Sequence, residues 1–179
     1  FSTCWQDTDY NYLTAVDDPY CDPNRLSPER LGSILSTVLV GYDRSTTDFH
    51  DWHATVTASD IEQRMSERYG ISTGHILSIS ADSRGASGRI YRLCIEAERG
   101  TFYIGKELEI RRLLSDTCLY SSWFDISPAG NGTFSLDGHG WGHGVGLCQI
   151  GAAVMACEGH SCGEILTHYY PNTTLKKLY

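Results

Sequence analysis

The sequence predicts an α+β fold: mainly antiparallel strands and hairpins packed with several short helices in one compact domain. Three observations carry that expectation. The middle of the chain alternates apolar and polar residues as strands do, two marked helix starts precede it, and two apolar helical stretches come after it. At 179 residues, the chain is long enough to bury a real apolar interior.

From Phe1 to Val16 the chain is aromatic and irregular, and the turn-rich DDPYCDPN comes next. Ser27-Pro28-Glu29-Arg30 opens a helix with a hydroxyl cap, a proline at the first helical position and an early acid. Leu31, Ile34, Leu35, Val38 and Leu39 then recur on one face. A second start lies at Ser59-Asp60-Ile61-Glu62, which has the capping-box form, and Gly70 ends that helix. HILSISADS reads as a strand, RGASG as a loop, and IYRLCIEAE with GTFYIG as a hairpin. Lys106 to Leu114 reads as a short helix with Ile110, Leu113 and Leu114 inward. SWFDI and TFSLDG make a second hairpin across SPAGNG. Helices over Val145–Glu158 and roughly Gly163–Tyr169 close the chain, with Pro171 as the stop.

Charge narrows the partners. Fourteen Lys and Arg against 22 Asp and Glu leave a net charge of −8, and no basic stripe interrupts it. Such a surface repels phosphate backbones and anionic lipid, so nucleic acid is excluded as an expected partner. No apolar run is long enough for a membrane span. Seven cysteines, an odd number, point to an oxidising compartment. Cys157 and Cys162 bracket a tight link and could pair, Cys4 and Cys21 could staple the N-terminal region, and Cys94 reads as a buried free thiol.

The chemistry concentrates in DGHGWGHGVGLCQIG. Glycine at every second position from Gly138 to Gly144 forbids a helix there and brings backbone close to something. A phosphate cradle does not match, because the glycine spacing is wrong and the P-loop lysine is missing. A metal site on His139 and His143, completed by His160, His168 or Cys148, lacks any HExxH or CxxC pattern. Cys148 could be a nucleophile with His143 as its base, but no orienting third group is marked. Simple tight packing remains a further reading. The preferred reading is a cleft-lining loop for an uncharged polar ligand: imidazole and backbone N–H groups bind hydroxyls, and the Trp141 face suits a sugar ring.

The run GHGWGHGVGLCQIGAAVMACEGHSCGEILTHYYPNTTL resembles the C-terminal signature of the stage II sporulation protein D family, which includes amidase-enhancer proteins. The residues that carry the resemblance are Gly142-His143-Gly144-Val145-Gly146, Gln149, Gly151-Ala152, Met155-Ala156, Gly159, Ile165-Leu166 and Tyr169-Tyr170-Pro171. Upstream, GASGRIYRL, EIRRLL, LYSSWFDI and WQDTDYNYLTAVDD resemble further family segments. Leu147, Cys148 and Ile150 depart from the family's common Met, Ser and Tyr. A family that accepts serine at position 148 does not need a thiol there.

The resemblance implies an exported, cell-envelope protein that binds peptidoglycan glycan strands and cleaves them as a lytic transglycosylase, leaving an anhydro-muramic acid end. One glutamate kept protonated in a partly apolar cleft would do the proton work. In the family that glutamate, and a zinc site, lie upstream of the Trp…Tyr-Leu segment. Residues 1–179 are therefore expected to be the C-terminal portion, with no catalytic residue, no metal ligand and no cofactor of their own. Glu29, Glu62, Glu67 and Glu107 read as solvated helix charges, and Glu158 as a helix-end residue. The expected glycan-contacting residues are His139, Trp141, His143, Gln149, Tyr169 and Tyr170. Ser122 joins them more weakly, since alternation in SWFDI could equally aim its hydroxyl at the core. Expected partners are glycan strands, with a cell-wall amidase or a cleaved N-terminal fragment as further ones. A non-catalytic glycan-binding or amidase-enhancer module, and a histidine-ligated metal hydrolase, are the alternatives.

Overall fold

The computed structural model describes residues 14–38 and 50–177. In chain order it has two 3-10 turns (Pro19–Cys21 and Pro23–Arg25), α1 (Pro28–Val38), β1 (Asp51–Thr57), α2 (Ala58–Tyr69), β2 (Ile76–Arg84), β3 (Ile90–Ala97) and β4 (Gly100–Gly105). After these come α3 (Glu107–Leu113), β5 (Phe124–Gly130), β6 (Thr133–His139), α4 (Gln149–Cys157) and α5 (Cys162–Tyr169). The class is α+β, as the sequence implies. The chain divides into two compact units, one containing Asp51–Gly144 and the other Thr8–His50 with Val145–Tyr179.

The first unit holds two three-stranded antiparallel sheets, ordered β1-β6-β5 and β2-β3-β4. Both expected hairpins are present, but in the second the strand continues through Ser127–Gly130, which were expected as turn. The β5–β6 turn is Asn131-Gly132, both at positive φ (51° and 70°), as a tight two-residue hairpin turn requires. Strand β1 was not among the expected elements, although Trp52, Ala54 and Val56 alternate inward along it. Its register on β6 sets Asp51 opposite His139 and His53 opposite Asp137. Both pairs lie within hydrogen-bond distance, at 2.6 and 2.8 Å, while Trp52 and Val56 on the other face are buried and set the register.

Helix α2 starts two residues earlier than expected. Its capping box is Thr57 with Asp60, not Ser59 with Glu62. The reason is that Thr57 ends β1 in an extended conformation, where a cap residue must be, while Glu62 accepts the Ile76 N–H. Ile61, Met65, Ile90, Leu93, Ile95, Ile110, Leu113, Phe124 and Leu136 are fully inaccessible to solvent and form the centre of this unit's core.

The second unit contains α1, α4 and α5. Among its described residues, Ile34, Leu35, Ile150, Val154, Met155 and Tyr169 are the buried apolar side chains. Helix α4 begins at Gln149, not Val145. Gly146 sits at φ +95° and Cys148 is extended, so the preceding residues cannot join the helix. Helix α5 begins with a second capping box, Ser161 with Glu164. Cys157 and Cys162 are exposed free thiols and do not pair. Backbone closes their link instead: Gly159 N–H reaches Ala156 O at 3.1 Å and His160 N–H reaches Met155 O at 3.0 Å. Cys4 lies outside the described residues, and Cys94 is a partly buried free thiol.

Candidate functional site

The ribbon from Gly138 to Gly144 leaves the end of β6, the central strand of its sheet. Gly138 faces the Trp52 ring so closely that no Cβ could be placed there. Beyond it, Gly140, Gly142 and Gly144 take φ of +65°, +79° and +67°, which side-chain-bearing residues rarely adopt. The ribbon is tied down along its length. Trp52 Nε1 donates to Gly140 O at 3.1 Å, and Gly142 N–H donates to Tyr120 O at 2.7 Å. His139 N–H donates to Trp123 O at 2.8 Å, and the Ser121 hydroxyl donates to His139 O at 2.6 Å. Arg89 Nε donates to Gly142 O at 3.1 Å, and its guanidinium occupies the space a Gly144 side chain would need. The alternating glycines therefore serve to lay backbone flat over an arginine and an indole.

Rings line this ribbon. Trp141 meets Tyr120 edge-on at 5.5 Å between centroids, and Tyr120 meets Trp52 in the same way at 5.9 Å. Trp123 leans on His139 at 5.2 Å and is 41% exposed. Its indole rests on Gly88, where a Cβ would collide with it. His139 Nδ1 lies 2.6 Å from Asp51 Oδ1, and its side chain stays 43% exposed. Apolar faces, a carboxylate-oriented imidazole and backbone amides together offer stacking and hydrogen bonds to a hydroxylated, uncharged ligand.

His143 sits differently. Partial burial holds its pKa below the usual histidine value, with Glu107 opposing that shift and Arg89 and Arg111 reinforcing it. Its neutral imidazole can donate at one nitrogen and accept at the other. Glu107 is not the solvated helix charge expected of it. It is 1% exposed, and Arg111 Nη1 donates to its Oε2 at 3.3 Å. Lys106 caps α3 at φ +71°, and Glu107 is the first helical residue. The i,i+4 arginine was legible in the sequence, but the burial was not. Ser122 is wholly buried, so of the two orientations that alternation allows, its hydroxyl takes the inward one.

Within the first unit, then, His139, Trp141 and His143 lie along one ribbon, and Ser122 lies beneath the surface. Arg89, Tyr120 and Trp123 were missed as site residues, although Gly88-Arg89 and LYSSWFDI stand in segments that carry the family resemblance. Asp51 was missed because β1 itself was missed.

Gln149, Tyr169 and Tyr170 belong to the second unit. Gln149 is exposed at the first position of α4. Tyr170 accepts the Leu147 N–H at 3.2 Å beside Gly146. Tyr169 is buried and donates to Asp18 Oδ2 at 2.9 Å, and burial next to that carboxylate pushes its phenol pKa up. Cys148 is the N-cap of α4 and accepts the Gly151 N–H at 3.4 Å. Its sulfur lies 3.0 Å from that of Cys21. The hydrogen bond between them pulls the Cys148 thiol down and pushes the Cys21 thiol up. Among the described residues, His139 and His143 do not converge with a third metal-ligating group.

A family model described as a domain of unknown function, DUF8618, matches residues 1–146. Stage II sporulation protein D of Bacillus subtilis (strain 168) is 30% identical over 124 residues, 69% of this chain and 32% of that protein. The protein of the same name from Bacillus amyloliquefaciens is 37% identical over 73 residues, 41% of this chain and 21% of that one. The amidase enhancer of Bacillus subtilis (strain 168) is 36% identical over 67 residues, 37% of this chain and 9% of that protein. The chain spans about a third or less of the length of each of these relatives.

Proposed function

Because the chain belongs to the DUF8618 family and is related to stage II sporulation protein D and the amidase enhancer, we propose that it works on the bacterial cell wall. In this reading an envelope-associated protein presents the Gly138–Gly144 ribbon to the glycan strand of peptidoglycan. The observation that carries it is the ribbon itself: backbone fixed over Arg89 and Trp52, with Trp123, Trp141 and His139 beside it. Indole faces stack on sugar rings, and the Asp51-oriented His139 bonds a hydroxyl or acetamide. His143, neutral near pH 7, does the same without the desolvation cost of a charge.

The finer form of the proposal is that the whole protein cleaves the strand as a lytic transglycosylase. The muramic acid 6-hydroxyl then attacks the anomeric carbon as the glycosidic bond breaks; a protonated carboxyl donates to the leaving oxygen and, as carboxylate, takes the 6-hydroxyl's proton, so no water is consumed. This chain's share would be to hold the sugars. Full-length protein incubated with peptide-free glycan strands should yield anhydro-muramyl ends by mass spectrometry. Reducing ends alone would exclude that chemistry. The 179-residue chain should be retained by purified sacculi, and Trp123→Ala or Trp141→Ala should weaken retention by about tenfold, the worth of one aromatic contact.

The 36% identity to the amidase enhancer favours a second reading, in which the chain stimulates a cell-wall amidase. Unchanged amidase turnover on adding the chain would remove it.

A further inference from the structure

In the second unit a carboxylate and two thiols converge. Asp18, Cys21 and Cys148 each place a ligating atom within 4.8 Å of the other two. Asp18 precedes the 3-10 turn that ends in Cys21, and Cys148 caps α4, so two distant stretches of sequence supply the set. Asp18 Oδ2 accepts from Tyr169, but its Oδ1 is buried and has no hydrogen-bond partner among the described residues. A buried carboxylate oxygen left unsatisfied is costly, and here it faces the two sulfurs. Gly151 leaves the space that makes this possible, since a Cβ there would run into Tyr169 and both Asp18 oxygens.

We propose that Asp18, Cys21 and Cys148 form a binding site for a thiophilic divalent cation of the zinc type. Two thiolates and one carboxylate are the donors a borderline-soft ion selects over magnesium or calcium. Binding releases both thiol protons to solvent, and three protein ligands leave the fourth tetrahedral position to water. Two thiolates on one such ion stand about 3.8 Å apart, from bonds of about 2.3 Å at the tetrahedral angle. The present separation of 3.0 Å opens to that value by a small retreat of either side chain. Tyr169 is the outer partner that fixes the carboxylate, as outer partners do at other metal centres. The ion would clamp the Pro19–Cys21 turn onto α4, in the unit with fewer buried apolar side chains among the described residues.

The test uses the whole chain carrying Cys157→Ser and Cys162→Ser, which removes the two thiols that are exposed among the described residues. It is purified with chelator and reductant, then titrated anaerobically with Co²⁺ as the probe. One ion per chain with a thiolate-to-cobalt charge-transfer band is expected, and Zn²⁺ should displace it and raise the melting temperature. Cys148→Ser and Cys21→Ser should abolish the band. Asp18→Asn, which keeps the shape and so the fold, should weaken binding by at least about tenfold. No band and no thermal shift in the parent would overturn the proposal. So would protein purified without reductant that is lighter by two hydrogens and has Cys21 and Cys148 unreactive, because that product is a disulfide.

Discussion

Helices α2 and α5 begin with the same device, a hydroxyl residue and an acid three positions on that cap each other's backbone. Beyond the cap the two helices differ. In the first unit α2 sends Ile61 and Met65 into a core shared with two antiparallel sheets, and neither is accessible to solvent. In the second unit α5 contributes Tyr169 as its buried residue, held by a carboxylate as much as by apolar contact. One unit is stabilised mainly by apolar burial. Among its described residues, the other has six buried apolar side chains, Ile34, Leu35, Ile150, Val154, Met155 and Tyr169, beside a polar cluster of Asp18, Cys21 and Cys148. The glycine ribbon leaves the well-packed unit, whose sheet can hold a strained backbone in place.

The largest effect should come from the first unit's core. Phe124→Ala removes a fully buried ring that packs on Trp52 at 5.9 Å between centroids. A loss of about 3–5 kcal/mol is expected by urea denaturation. Hydrogen exchange should then accelerate across β1, β5 and β6. If protection fell equally in α4 and α5, the contrast between the units would fail.

Next comes Gly144→Ala. The left-handed backbone alone costs roughly 1–2 kcal/mol with a side chain present, and Arg89 must also move. Sacculus retention should drop while the sheets stay folded by circular dichroism. Retention equal to the parent would separate the ribbon's shape from binding.

The caps give a matched pair. Thr57→Ala and Ser161→Ala each remove a side-chain acceptor and should cost about 1 kcal/mol. The readout that distinguishes them is local. Exchange should rise in the first turn of α5 more than in that of α2, because packing still holds α2 once its cap is gone. Equal responses would mean that the two helices are held alike.

Much of this contrast is legible in the residues alone. Period-two and helical apolar patterns located five of the six strands and every described helix, because those patterns are set by burial on one face. Gly138, Gly140, Gly142 and Gly144 announced a close backbone approach correctly. What hid was whatever depends on a partner distant in sequence. Strand β1 carries only Trp52 and Val56 as buried residues among histidine, aspartate and threonine, so its alternation is faint. Glu107 looked solvated because its neighbours in sequence do not reveal the burial around it. The Cys21–Cys148 approach spans 127 residues, and spacing alone favoured Cys157 with Cys162.

The smallest effect concerns pH and again sits in the first unit. Burial holds the folded-state pKa of His143 below its ordinary 6.5. Above that value the ring is neutral in both folded and unfolded chains and adds no pH dependence. As pH falls through 6.5 the unfolded chain takes up its proton first, so the folded state loses ground until the lowered folded value is passed. His143→Gln should remove that part of the acid sensitivity. Paired urea titrations at about pH 7.5 and about pH 5.5, on either side of the histidine range, measure it as a difference between parent and variant. A loss of sacculus retention in the parent alone, as the pH falls through the lowered folded-state value, would tie the neutral ring to binding. Identical profiles in the two proteins would instead place His143 outside both stability and recognition, leaving the indoles and His139 to carry the ribbon's contact with sugar.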